Sequence, residues 1–142
     1  MSSEKIFWAD GDKGLLLLRV MFGVLILFHG WHKVMHGIDM PMARMASHGL
    51  PGFLMYFAYL SEVVAPILIV LGLFTRLSAL ALFVTMTVVV YIEVRTSVSL
   101  TPQGAISIET QLIYWFVSAG LFFTGPGRYK VSASSKSNWF FE

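Results

Sequence analysis

The chain has no cysteine. It therefore cannot run thiol–disulfide exchange or hold a metal through thiolates. Charge is also scarce: 10 Lys and Arg and 8 Asp and Glu are spread over 142 residues. No basic run stands among them, which argues against a nucleic-acid partner. There is no flavin or dinucleotide motif. Gly125-Pro126-Gly127 lacks the Lys-Ser/Thr of a phosphate loop and follows no strand, so it reads as a helix stop. Bis-histidine haem normally takes one axial ligand from each of two facing helices. Here His29, His32 and His36 share one apolar segment, and His48 lies in a connection. One chain makes a poor bis-histidine site.

What is present is apolar length. Hydrophobic residues make up 56% of the chain. Most fall in four runs, 14–36, 52–74, 77–98 and 105–125, each near the ~20 residues that cross a bilayer. The first is too long for a cleaved signal, carries Arg19 and Lys33, and has no small-residue cleavage site after it. The reading is an all-α membrane protein: an antiparallel bundle of four transmembrane helices, one domain over 1–142. A short interfacial helix is expected in the 37–51 connection, where Asp39 can cap it, Pro41 fits its first turn, and Gly49 with Pro51 ends it. Met40, Met42 and Met45 would dip into the interface. Ile6, Phe7 and Trp8 belong to a polar leader expected at the opposite interface, and 131–142 reads as a mobile tail that Trp139-Phe140-Phe141 can pin back. Lys5, Lys13, Arg76, Arg128, Lys130 and Lys136 fall on one side, against Lys33, Arg44 and Arg95 on the other. The positive-inside rule then puts both termini in the cytoplasm.

Glu62 sits deep in the second run, and Pro66 follows four residues later. A carboxylate at that depth costs about 2.5–3.5 kcal/mol on insertion scales. Proline has no N–H, so the carbonyl of residue 62 also loses its helical partner. Irregular, polar backbone at membrane depth survives only where protein or a cavity covers it. The other polar groups sort to the same outer half. His36, His32 and His29 descend to roughly 10 Å from the outer end of the first run, and Glu62 lies roughly 15 Å below the start of the second. Glu93, Glu109 and Gln111 lie near the outer ends of the third and fourth. His29, His32, Lys33 and His36 recur at helical spacing and read as one stripe facing the acids at 62, 93 and 109. His29, Glu62 and Glu109 are the candidate catalytic residues, expected to converge on one cavity. A histidine opposite a carboxylate can relay a proton. His32, Lys33, Tyr59, Glu93 and Gln111 are candidate binding residues. Tyr59, three before Glu62, can donate a hydrogen bond to it.

A family resemblance rests on an ordered set of motifs: Leu17-Leu18-Arg19, Phe28-His29-Gly30 with Lys33, Gly49-Leu50-Pro51, Glu62, Gly72-Leu73-Phe74-Thr75-Arg76, Glu109 and Gly125-Pro126-Gly127-Arg128-Tyr129. Over about residues 14–130 the chain resembles the DoxX family of small four-helix membrane proteins. Some relatives are subunits of thiosulfate:quinone oxidoreductases, others accompany membrane redox complexes, and many have no assigned role. The resemblance implies a redox-linked membrane role, with electrons from a partner protein or a donor such as thiosulfate.

A quinone is the expected cofactor. A few polar groups at the edge of the hydrocarbon suit its headgroup, while its tail stays in lipid. Membrane lipid, a redox partner protein and further copies of the chain are the expected partners. Two other readings compete. In one, the chain is a non-enzymatic scaffold or assembly factor whose polar groups act as interhelical glue. In the other it binds a metal, through His29 with Glu62 and Glu109, or as copper(I) through the Met40–Met45 run with Met35, His36 and His48. For that methionine run a flexible apolar patch is favoured.

Overall fold

The computed structural model describes residues 10–96 and 98–131. The leader, Ile6 to Trp8 included, and the 132–142 tail with Trp139-Phe140-Phe141 lie outside them. The described residues form five α-helices: α1 Gly11–His36, α2 Asp39–Ser47, α3 Leu54–Leu71, α4 Thr75–Thr96 and α5 Glu109–Thr124. No strand occurs among them, only an isolated bridge between Leu100 and Ile106.

Local chemistry explains where each helix begins and ends. Asp10 caps α1, accepting from the Asp12 amide at 3.1 Å, which starts the helix three residues before the apolar run. Gly72, at φ +75°, ends α3, and Thr75 opens α4 immediately after. α2 forms where it was predicted, although no side chain caps its start. α5 begins at Glu109, four residues later than hydrophobicity implied. Residues 99–107 instead close a turn, with Thr101 donating to the Ala105 carbonyl at 2.8 Å and Ser107 to that of Ser99 at 2.9 Å. A run of apolar residues cannot distinguish such a turn from a first helical turn.

α1, α3 and α4 are each long and apolar enough to cross a membrane. α5 has 16 residues, about 24 Å. The four long helices alternate in direction. At the near end, the start of α1 meets the end of α5: the Arg128 amide donates to Asp12 at 3.0 Å. Buried Arg19 donates to the carbonyls of Pro126 and Tyr129. Arg76, read from sequence as a topology anchor, donates to those of Phe122 and Phe123 at 2.7 and 2.8 Å. Arg76 thus satisfies last-turn carbonyls that α5 leaves without helical partners, and Arg19 satisfies carbonyls of the segment that follows it. The Val131 amide joins Leu71 at 3.0 Å.

The main packing is α1 on α3, α3 on α4 and α4 on α5. α1 buries Arg19, Phe22, Gly23, Ile26 and Gly30, and α3 buries Met55, Ala58, Ser61, Glu62, Ala65, Pro66 and Ile69. Both sets follow the three-and-four spacing of one helix face. The two glycines set the separation. A Cβ on Gly23 would stand 2.9 Å from the Pro66 carbonyl oxygen, and one on Gly30 2.3 Å from that of Glu62. The carbonyl released by Pro66 is therefore covered by the backbone of α1. Large apolar side chains such as Phe28, Phe116 and Phe123 face outward, as lipid-facing surfaces do. α2 lies over the far end. Met45 packs with Met55, Ala58 and Ile92, and Met42 sits against them, so only Met40 of the three methionines points outward.

Gly30→Ala is expected to destabilise the protein by about 1–3 kcal/mol through overpacking, while Gly14→Ala, inside α1 with nothing within 4 Å of the added methyl, is expected to stabilise it by up to about 1 kcal/mol through helix propensity. Thermal unfolding of the two purified variants in one detergent checks this. Equal melting temperatures would show that α1 and α3 do not depend on this contact.

Candidate functional site

Towards the far end the helices enclose a cavity of about 520 Å³, within the ~300–1,000 Å³ of small-molecule sites. Its walls are mainly apolar, including Ile26, Met45, Met55, Ala58, Val88 and Ile92. The polar groups come from all five helices: His29 and Lys33 from α1, Arg44 from α2, Glu62 from α3, Thr85 and Glu93 from α4, and Thr110, Gln111 and Tyr114 from α5.

The central feature is an ion pair. Lys33 Nζ donates to Glu62 Oε2 at 2.5 Å, with 22% of the lysine side chain and 3% of the glutamate side chain exposed. Gly30 brings α1 onto α3 at the Glu62 carbonyl, and Lys33, one turn on, reaches across from there. A second pair lies nearer the surface, where Arg44 meets Glu93 at 2.8 and 3.0 Å. It fastens α2 to α4. His29 Nδ1 lies 3.1 Å from the Leu25 carbonyl. A carbonyl only accepts, so Nδ1 is the donor in this contact. The His29 ring stands edge-on to Tyr114, with centroids 5.5 Å apart. Gln111 Oε1 is buried with no hydrogen-bond donor among the described residues, and the Tyr114 side chain lines the cavity beside it. The Ser61 and Thr85 hydroxyls satisfy each other at 2.7 Å.

Of the residues singled out from sequence, His29, Lys33, Glu62, Glu93 and Gln111 meet around this cavity. Glu109, His32 and Tyr59 do not. Glu109 is exposed at the first position of α5, where a carboxylate interacts favourably with the helix dipole. The expected convergence of His29, Glu62 and Glu109 therefore does not occur. The four-residue stripe on α1 also splits. His32 lies on the far side of the helix from Gly30, is exposed, and stacks on His36 with centroids 4.1 Å apart. Tyr59 is half-buried and makes no hydrogen bond to Glu62, whose partner is Lys33. Among the described residues, no group of three or more His, Asp and Glu side chains is placed to hold a metal. The trio His29, Glu62 and Glu109 is thus not assembled for that purpose, and the packing of Met42 and Met45 into an apolar cluster matches the patch reading of the methionine run.

Sequence reasoning passed over Tyr114, Arg44 and Thr85. Tyr114 follows Gln111 by three residues and Thr110 by four, so helical spacing already put it on their face. Nothing in the sequence pairs Arg44 with Glu93, 49 residues away.

Removing one partner of a buried ion pair typically costs about 3–5 kcal/mol, whereas replacing both with apolar groups is often neutral or stabilising. Lys33→Leu is therefore expected to lower the melting temperature, and Lys33→Leu with Glu62→Leu to restore it. Additive losses in the double variant would show that the two side chains do not act as a pair.

Comparison with known proteins agrees with the helical pattern. A profile of the DoxX family matches residues 14–94. The chain is 27% identical to "Uncharacterized membrane protein Rv3486" of Mycobacterium tuberculosis, over 92% of this chain and 86% of the relative. It is 36% identical to "Putative oxidoreductase CatD" of Bacillus subtilis over 64 residues, 45% of this chain and 47% of that protein. No solved structure matches. The family profile covers more than half of the residues and the apolar helices are long enough to cross a bilayer: the chain is a membrane protein of the DoxX family.

Proposed function

We propose that this protein crosses the bacterial cytoplasmic membrane four times, with both termini inside, and serves a quinone-linked redox system by binding the quinone headgroup in the far-end cavity. α5 is the fourth span, packed along α4 and running antiparallel to it, and α2 lies in the outer interface. The observation that carries the reading is a Lys33–Glu62 pair set into the wall of a mainly apolar cavity of about 520 Å³. Gln111 Oε1, without a hydrogen-bond partner among the described residues, lines the same cavity. Membrane-embedded ionisable groups that line a cavity are functional by default. The relative named as an oxidoreductase supports a redox role.

The residues fit such a headgroup. Lys33 retains N–H groups to donate to a ring carbonyl, and the Tyr114 hydroxyl is a further donor. Gln111 Oε1, buried without a donor, can accept from a ring hydroxyl. Reduction of a quinone to a quinol consumes two electrons and two protons. Glu62 and His29 are the groups able to hold and pass those protons. The electrons come from a partner protein or a small donor, since the chain has no cysteine or flavin motif of its own.

A scaffold role is the second reading, favoured by the closed Lys33–Glu62 contact. Binding separates the two. In nanodiscs, wild-type protein is expected to bind a decyl-benzoquinone saturably, and Glu62→Gln to bind it about tenfold more weakly, about 1.4 kcal/mol, with a lowered melting temperature from the lost ion-pair partner and binding scored per folded protein. Absence of saturable binding to the wild type would leave the scaffold reading in place.

Orientation has its own check, and the lack of native cysteine makes it clean. Cysteines placed at Ala43 and Thr101 are expected to react with an impermeant maleimide on intact cells, and cysteines at Ser3 and Ser135 only after lysis. The reverse pattern would invert the topology.

A further inference from the structure

Exposed residues that line the cavity fall in three places: Met40 and Arg44 on α2, His29 and Thr110 on α1 and α5, and Phe57 and Val84 on α3 and α4. The opening at α2 carries the charged Arg44–Glu93 pair, and the two between long helices are opposite in chemistry. A residue that both lines the cavity and is exposed marks a mouth. Between α1 and α5 those residues are His29 and Thr110, both polar. α1 and α5 meet over far less of their length than the other neighbouring long helices. Tyr114 closes that seam, edge-on to Phe22 and to His29 at 5.8 and 5.5 Å. Between α3 and α4 the exposed lining residues are Phe57 and Val84, 46% and 45% exposed, and both are apolar. The Ser61–Thr85 hydrogen bond ties these two helices next to that mouth and leaves no polar group of the pair unsatisfied toward it.

We infer that the cavity takes an amphiphile whose polar head sits at Lys33 and Glu62 and whose hydrocarbon chain leaves between α3 and α4, past Phe57 and Val84, into the surrounding lipid. The argument is one of matched surfaces. A chain lying against His29, Thr110 and Gln111 would strip water from polar groups and return no hydrogen bond. The same chain against Phe57 and Val84 exchanges lipid contacts for similar apolar ones and desolvates nothing polar. The head is held where the charged pair and the unpartnered Gln111 Oε1 are, and the tail follows the wall that has neither. The identity of the head as a quinone rests on the function proposed above. The path of the tail does not.

Photolabelling of the full-length protein in nanodiscs tests the path. Two probes carry a diazirine at the far end of a decyl chain: one on a benzoquinone ring, the other on a plain alcohol. Saturable labelling is expected at Phe57 and Val84 or their immediate neighbours on α3 and α4. Val84→Trp fills that mouth and is expected to reduce it at least tenfold. Thr110→Trp, which fills the mouth between α1 and α5, is expected to leave it within twofold. Saturable labelling at Leu25 or Ile113 on α1 and α5, labelling indifferent to Val84→Trp, or no saturable labelling with either probe overturns the inference. Competition by a tail-less benzoquinone is scored separately. If the chain labels at Phe57 and Val84 but the free ring does not compete, the quinone reading fails and the tail path stands.

Discussion

The approach of α1 to α3 at Gly30 governs the rest of the far half. Pro66 has no amide hydrogen to offer the Glu62 carbonyl, and a glycine on the neighbouring helix is what lets another backbone cover it. With any larger residue at position 30 the helices would stand apart, and Lys33 would lie farther from the carboxylate it now meets at 2.5 Å. A carboxylate this deep is tolerable in a membrane only when paired or facing a cavity, and Glu62 does both. Gly23, seven residues earlier against Pro66, repeats the contact two turns away and keeps the helices close along their length.

The two ends of the bundle use charge differently. At the near end Arg19 and Arg76 spend their hydrogen bonds on backbone carbonyls around the end of α5. This is structural use: Arg76 closes the helix terminus and Arg19 the segment after it, carbonyls that hydrocarbon would leave unsatisfied. At the far end the charges pair with side chains, and Gln111 Oε1 is left without a partner among the described residues. Polar atoms beside a cavity, with walls otherwise apolar, are what a ligand with a polar head needs. The Arg44–Glu93 pair joins the two themes, fastening α2 over the chamber by a contact that water can still reach.

Several parts of this arrangement are legible in the residues themselves. The apolar runs locate α1, α3 and α4 because a helix of ~20 apolar residues has few other stable environments. Glu62 is conspicuous because charge in such a run is costly, and Pro66 because it must free a carbonyl. Depth also follows from counting at a fixed rise per residue, which is why His29, Lys33, Glu62, Glu93 and Gln111 were all assigned to one half and are found there. α5 was legible only as an apolar run; its first four expected residues belong to a turn fixed by backbone hydrogen bonds.

Counting gives depth and face, but not which face of one helix meets which face of the next. By sequence alone Glu109 is as good a companion for His29 as Lys33 is for Glu62, and Tyr59 a nearer one. Only the packed bundle decides, because the rotation of each helix is set by where small residues permit close approach, and that is a property of two surfaces at once. Gly23 and Gly30 turn Lys33 inward and His32 outward, and the late start of α5 leaves Glu109 on the surface while Gln111 and Tyr114 face the cavity. The sequence determined that this chain enters a membrane and carries a charge within it. The tertiary structure determined what that charge touches, since the contact joins residues 29 positions apart on helices whose relative rotation no local pattern encodes.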